Sequence, residues 1–143
     1  MHFESMIIKS EYGEIKKVRE LVKKIALENN FFNEFIDSIE LSIGELITNI
    51  IKHGQKNILE KKEIHIYIEY VDKVLTMYFD YMGDIPSKER IEEVSQLKEP
   101  KEVALLAESG RGIYLMLKMM DELKYERLGD KARVTIVKKI KNN

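Results

Sequence analysis

Glu45-Leu46-Ile47-Thr48-Asn49-Ile50-Ile51-Lys52-His53-Gly54 is the stretch on which the reading of this 143-residue chain turns. Glu45, Asn49 and His53 follow one another at intervals of four residues. On an α-helix each is rotated about 40° from the last, so the three share one face. Ile36, Ile39, Ile43, Leu46, Ile47 and Ile50 fall on the opposite arc. The pattern predicts an amphipathic helix with Asn33 as its N-cap, running to about Lys52 and stopped by Gly54. Taken alone, such a polar stripe is most simply a solvated helix face. Leu41 and Ile51 flank it and hint at partial burial.

Upstream, residues 1–10 read as a strand, and residues 14–28 carry Ile15, Val18, Leu21, Val22 and Ile25 at helical spacing. Downstream, Ile64, Ile66, Ile68 and Tyr70 alternate with polar neighbours, as do Leu75, Met77 and Phe79. A tight turn at Asp72–Lys73 makes these two strands a hairpin. Residues 86–109, bracketed by Pro86 and Pro100, read as a loop with at most one short helix after Ser87. This stretch is expected to be the least anchored. A third helix follows from about Gly112 to Met120, then paired strands at residues 123–128 and 133–140 around Gly129–Asp130. Hairpins with helices grouped elsewhere predict an α/β (α+β) two-layer sandwich. Its sheet should be mixed and mostly antiparallel, with three helices on one face.

The length suits one domain over residues 1–143. Lys and Arg number 24 against 25 Asp and Glu, a net charge of −1 that gives no footprint for nucleic acid. With no cysteine, disulfides, thiolate metal sites and cysteine nucleophiles are excluded. The first ten residues lack the apolar core of a signal peptide, and no stretch is apolar enough to span a bilayer. A cytoplasmic protein without membrane contact is the expectation.

Two further elements carry chemistry. Glu108-Ser109-Gly110-Arg111-Gly112 precedes the apolar run Ile113-Tyr114-Leu115-Met116-Leu117. Its glycines let a ligand approach the backbone, and free N–H groups at a helix start attract an anion. The same residues also suit a Ser-capped helix with a flexible entry. Asp80, at a strand end before Tyr81-Met82-Gly83, could accept a hydrogen bond from an exocyclic amine, or be an ordinary turn residue.

In this order the three elements resemble the nucleotide-binding boxes of the GHKL (Bergerat-fold) ATPases. Residues 45–54 look like the N-box, and Ser109 to Gly112 like the second glycine box of the anti-sigma-factor serine/threonine kinase branch (RsbW-like). The resemblance covers about Lys9 to Ile140 and implies a Bergerat ATP-binding fold that uses ATP and Mg²⁺. It implies Asn49 as the magnesium ligand, Glu45 as general base, and Asp80 on the adenine amine with Gly83 nearby. Gly110 and Gly112, with Ser109 and Arg111 beside them, would hold phosphates, and Thr135 would close the adenine pocket. His53 would brace the helix end. The family's middle box usually reads Asp-x-Gly-x-Gly; here Met82 stands at the first glycine position and Asp84 at the second. Met82 would crowd the adenine unless the loop re-registers. The implied partners are a sigma factor and a small anti-sigma antagonist protein, with a homodimer as one possible assembly. The alternative is a docking module of the same fold with little or no turnover. A histidine-kinase catalytic domain is less expected, because no helical hairpin with a phosphoacceptor histidine precedes residue 1.

Overall fold

A computed structural model describes residues 1–60 and 62–141. Five strands form one sheet: β1 (His2–Lys9), β2 (Glu63–Val71), β3 (Val74–Tyr81), β4 (Glu122–Leu128) and β5 (Lys131–Lys139). Their spatial order is β1-β2-β3-β5-β4. Every pairing is antiparallel, so the parallel component expected of a mixed sheet is absent among the described strands. Asp72 and Lys73 both take positive φ, 52° and 63°. That backbone matches the right-handed twist of the strands it joins.

The helices are α1 (Ile15–Glu28), α2 (Asn33–Asn49), α3 (Lys88–Ser95), α4 (Pro100–Ala104) and α5 (Glu108–Met119). Alternation along the strands decides which sheet face they cover. Ile64, Ile66, Ile68, Leu75, Met77, Phe79, Tyr81, Val134 and Ile136 are buried on one face. They join Val18, Val22 and Ile25 of α1, Ile39, Ile43 and Leu46 of α2, and Ile113 and Met116 of α5 in one core. The opposite sheet face carries cross-strand rows such as His65–Asp80–Arg133 and Tyr67–Tyr78–Thr135. The result is the expected two layers. Among the described residues no helix is long and apolar enough to cross a membrane.

Three local features differ from expectation. Phe32, not Asn33, is the N-cap of α2; Asn33 is the first helical residue and no side chain caps the end. After Asn49 the chain widens into a π-helical turn, Ile50–Gly54, closed by the Gln55 N–H donating to Ile50 O at 2.8 Å. Such turns within helices recur at functional sites. Residues 86–109 hold a second short helix, α4, besides the one expected after Ser87. The first starts after Ser87, whose Oγ accepts from the Arg90 N–H at 3.1 Å. Val94 anchors it in the core at 1% exposure, whereas no described side chain from Gln96 to Ser109 is buried.

Candidate functional site

α2 and α5 meet at Gly112. A β-carbon there would lie 2.9 Å from Asn49 Nδ2, 3.1 Å from Glu45 Oε2 and 3.3 Å from Asn49 Oδ1. Only glycine lets α5 press against both polar side chains at once. This contact also explains why α5 begins at Glu108, a turn earlier than its sequence suggests. Each glycine in a helix costs about 1 kcal/mol relative to alanine, but Gly110 and Gly112 are both buried in close packing. Gly110 lies beneath the Arg90 guanidinium, whose Nη2 would be 2.7 Å from a β-carbon.

Beside this contact is a cleft of about 230 Å³ between the end of α2, the β3–α3 connection and the start of α5. Its lining includes Asn49, His53, Lys56, Tyr81, Asp84, Arg90, Ser109 and Tyr125. Glu45 opens instead onto the neighbouring groove, with Arg19, Thr48 and Arg111. Asn49 and Glu45 therefore stand on the two sides of Gly112.

The α5 N-terminus forms one end of the cleft. Its N-cap is Ala107, which offers no side-chain acceptor, and the first helical hydrogen bond runs from the Arg111 N–H to Ala107 O at 3.1 Å. Helix geometry leaves the N–H groups of Glu108, Ser109 and Gly110 without helical partners, at the positive end of the dipole. An anion is the natural complement. Arg111 does not supply that charge to the cleft: its guanidinium folds back and donates to Leu106 O at 2.6 Å. Lys52 grips the exposed Glu108 carboxylate at 2.8 and 3.0 Å, joining the end of α2 to the start of α5. The pairing raises the Lys52 pKa and lowers that of Glu108.

The adenine end is not built as expected. Phe79 and Tyr81 take the inward positions on β3, so Asp80 points to the opposite face of the sheet. There Arg133 donates to both carboxylate oxygens, at 2.6 and 2.8 Å. Thr135 is misplaced by the same rule, because Val134 and Ile136 are the buried residues on β5 and Thr135 faces away with Asp80. Met82 does not crowd the cleft: it is 42% exposed, and its carbonyl accepts from Gln55 Nε2 at 3.2 Å. Tyr81 fills the space instead, its hydroxyl donating to Asp84 O at 2.8 Å. Burial pushes the phenols of Tyr81 and Tyr125 well above their ordinary pKa, so both are neutral. Gly83 packs against the Gly54 carbonyl at φ 154°, where any side chain would collide, and the Asp84 N–H donates to Gly54 O at 2.7 Å. Its smallness ties the β3 loop to the end of α2; it does not make room for a flat ring.

This placement changes what Asp80→Ala should do. Loss of two charge-assisted hydrogen bonds to the half-buried Arg133 should cost about 1–2 kcal/mol, reduced by the water that still reaches the guanidinium. Thermal unfolding should fall by several degrees, while nucleotide affinity stays at the wild-type value. A calorimetric titration showing weakened nucleotide binding would return Asp80 to the site.

Arg90 and Lys56 escaped the sequence reading because each lies among exposed, charged or polar neighbours that look like solvated surface. His53 was read as a brace; in the structure its Nε2 is buried without a hydrogen-bond partner among the described residues. No group of three or more His, Asp or Glu side chains there could hold a metal alone. Magnesium keeps waters and phosphate oxygens and needs only one or two protein ligands. Asn49, the open N–H groups and the cationic lining thus fit a magnesium-bound polyphosphate; the Tyr81 end does not fit adenine in the expected manner.

A sheet flanked by helices, with an Asn/Glu pair of α2 against a glycine of α5, sets the chain within a known class. It belongs to the histidine kinase-like ATPase domain family, which it matches over residues 8–139. Among similar proteins is the serine-protein kinase RsbW of Bacillus pumilus, 28% identical over 120 residues, 82% of this chain and 73% of that protein. RsbW of Listeria monocytogenes serovar 1/2a is 28% identical over 101 residues, 70% of this chain and 64% of that protein. Among solved structures, the RsbU and RsbW domains of a Mycobacterium tuberculosis protein superpose with a TM-score of 0.65 at 13% identity. That match covers 98% of this chain and 33% of the other. The histidine kinase domain of a blue-light-activated kinase from Erythrobacter litoralis gives 0.53 at 13% identity, over 93% of this chain and 62% of that one.

Proposed function

We propose that the chain is an ATP-dependent protein serine/threonine kinase of the anti-sigma-factor type. It would phosphorylate a small antagonist protein and sequester a sigma factor. The observation that carries this reading is the contact of Glu45 and Asn49 with Gly112, at the start of a helix whose N–H groups stand open. The likeness to serine-protein kinases named RsbW supports the serine/threonine class and the two partners.

The resemblance suggests a division of labour that the geometry supports. Asn49 would hold Mg²⁺ through its side-chain oxygen, and the N–H groups of Ser109 and Gly110 would receive phosphate oxygens. Bound MgATP supplies the phosphoryl group and neutralises its charge. Glu45, facing the neighbouring groove, would take the proton from a serine or threonine hydroxyl presented there by the antagonist. Positioning and charge do most of the work in phosphoryl transfer, so this small set suffices. The deciding experiment is transfer of labelled phosphate from ATP to a candidate antagonist protein. Partner binding without any transfer, at saturating ATP and Mg²⁺, would end the kinase reading.

Asn49→Ala offers a second check. Asn49 is a partly exposed side chain at the cleft wall. Its loss should weaken magnesium-dependent nucleotide binding by about tenfold or more while moving the melting temperature little. An unfolded variant would make Asn49 structural.

One observation favours the alternative, a docking module with little turnover. The cleft, at about 230 Å³, is smaller than the roughly 300–1,000 Å³ usual for ligand sites, and Tyr81 occupies its base end. The transfer assay separates the two.

A further inference from the structure

The two edge strands of the sheet are built differently. β4 is blunted in the usual way for an edge, with Glu122, Lys124, Glu126 and Arg127 among its seven residues. β1, at the other edge, has no proline and an unbroken register with β2. Its outward side chains are Phe3, Ser5 and Ile7; Phe3 is 63% exposed and Ile7 60%. Alternation also sets the direction of the backbone groups. Ser10 N–H donates to Lys62 O at 3.0 Å, on the β2 side. The even residues of β1 therefore bond to β2, and the N–H and C=O groups of the odd residues point off the sheet. Lys9, the last odd residue, is already satisfied. Its N–H donates to Glu14 Oε1 at 3.2 Å, and its carbonyl accepts from the Glu11 N–H at 2.8 Å. The backbone of Phe3, Ser5 and Ile7 has no such partner among the described residues. The open edge is thus centred on Ser5.

We propose that this edge pairs with the same edge of a second copy of the chain, antiparallel about a two-fold axis at Ser5. Ser5 then meets its own counterpart, and Phe3 of each copy meets Ile7 of the other. All three project from the outer face of the sheet, beside Glu69, Tyr67 and His65 of β2. Each exposed ring thereby covers an exposed aliphatic side chain, a favourable cross-strand pair. On the inner face the same register sets Glu4 opposite Met6 and His2 opposite Ile8, so like charges do not face each other. Other registers are poorer. An axis at Phe3 leaves Ile7 opposite no residue of β1, and an axis at Ile7 sets Ser5 against Lys9, whose hydrogen bonds are taken. The pairing joins two five-stranded sheets into one, with the helices of both copies on the same side. The kinase reading and this inference stand independently.

The test is sedimentation equilibrium of the full chain, wild type beside four variants. Wild type should dimerise at micromolar concentration. Proline is tolerated on an edge strand where its missing N–H faces solvent, so Ser5→Pro should keep its circular dichroism and melting temperature. Its dimer dissociation constant should rise about thirtyfold or more, because both chains lose a hydrogen bond. Phe3→Lys and Ile7→Glu should each weaken the dimer by about tenfold or more, since each sets a charge against an apolar partner. Combined in one chain, the two should return the dimer to within about tenfold of wild type, because each lysine then faces the glutamate of the other copy. That rescue should fade at high salt. A wild-type chain that stays monomeric would overturn the proposal. So would a dimer indifferent to these variants, or a double variant no better than either single one. Should Ser5→Pro fail to fold, the charge exchange decides alone.

Discussion

Glu45→Gln is expected to lower phosphoryl transfer by about 10²-fold or more, the usual range for loss of a general base, while nucleotide and partner binding persist. The substitution keeps the shape and removes only the proton acceptor. Glu45 Oε2 and Asn49 both reach the same point on α5, Gly112, so the carboxylate stands in the neighbouring groove, one glycine away from the cleft that Asn49 lines. No hydrogen bond or ion pair engages that carboxylate among the described residues, which leaves it available to a hydroxyl arriving from the groove. Labelled-phosphate transfer gives the rate and calorimetry the affinities. Equal rates in the variant and wild type would remove Glu45 from the chemistry.

Gly112→Ala should have a comparable effect on function for a different reason. A methyl group here would press on Asn49 at 2.9 Å and on Glu45 at 3.1 Å, distances that force both side chains to move. Stability should change little. Alanine gains about 1 kcal/mol of helix propensity, and the colliding atoms are side-chain ends, not backbone. Displacing a reacting or metal-binding group by even about 1 Å can cost on the order of 10²-fold. The expected result is a melting temperature within a few degrees of wild type, with transfer reduced by about that factor. A variant that unfolds, or one with full activity, would show that the contact serves packing alone.

The layered fold was legible because alternation and helical spacing are strong signals in this chain. Ile64 to Tyr70, Leu75 to Phe79 and the α2 stripe all fall where their periods place them. The Glu45/Asn49 pair was legible for the same reason, since a four-residue spacing survives any tertiary context that keeps the helix. His53 was less so, because the π turn at Ile50–Gly54 breaks that spacing one turn later. Asp80 and Thr135 were misassigned by motif position when the alternation already pointed the other way: with Leu75, Met77 and Phe79 inside, residue 80 must face out. The early start of α5 could not be read from Ser-Gly-Arg-Gly, whose intrinsic preference is against helix. Only the tight seat of Gly110 and Gly112 against neighbouring side chains overrides it. Arg90 sits in the charged run Lys88-Glu89-Arg90-Ile91-Glu92-Glu93, where nothing in sequence separates a cleft-lining cation from solvated surface.

The facing of Asp80 bears on how this cleft could ever change. Strand geometry assigns side chains to one face or the other by counting residues, and no exchange of one amino acid for another alters the count. Replacing Met82 or Tyr81 can enlarge the base end, but neither turns the carboxylate toward it. Moving Asp80 across the sheet takes the gain or loss of a residue in β3, and the same step would strip Arg133 of its partner. Asp80 itself therefore reaches the cleft only by a change of length, whereas position 81 already faces it and would present a carboxylate there after a single exchange.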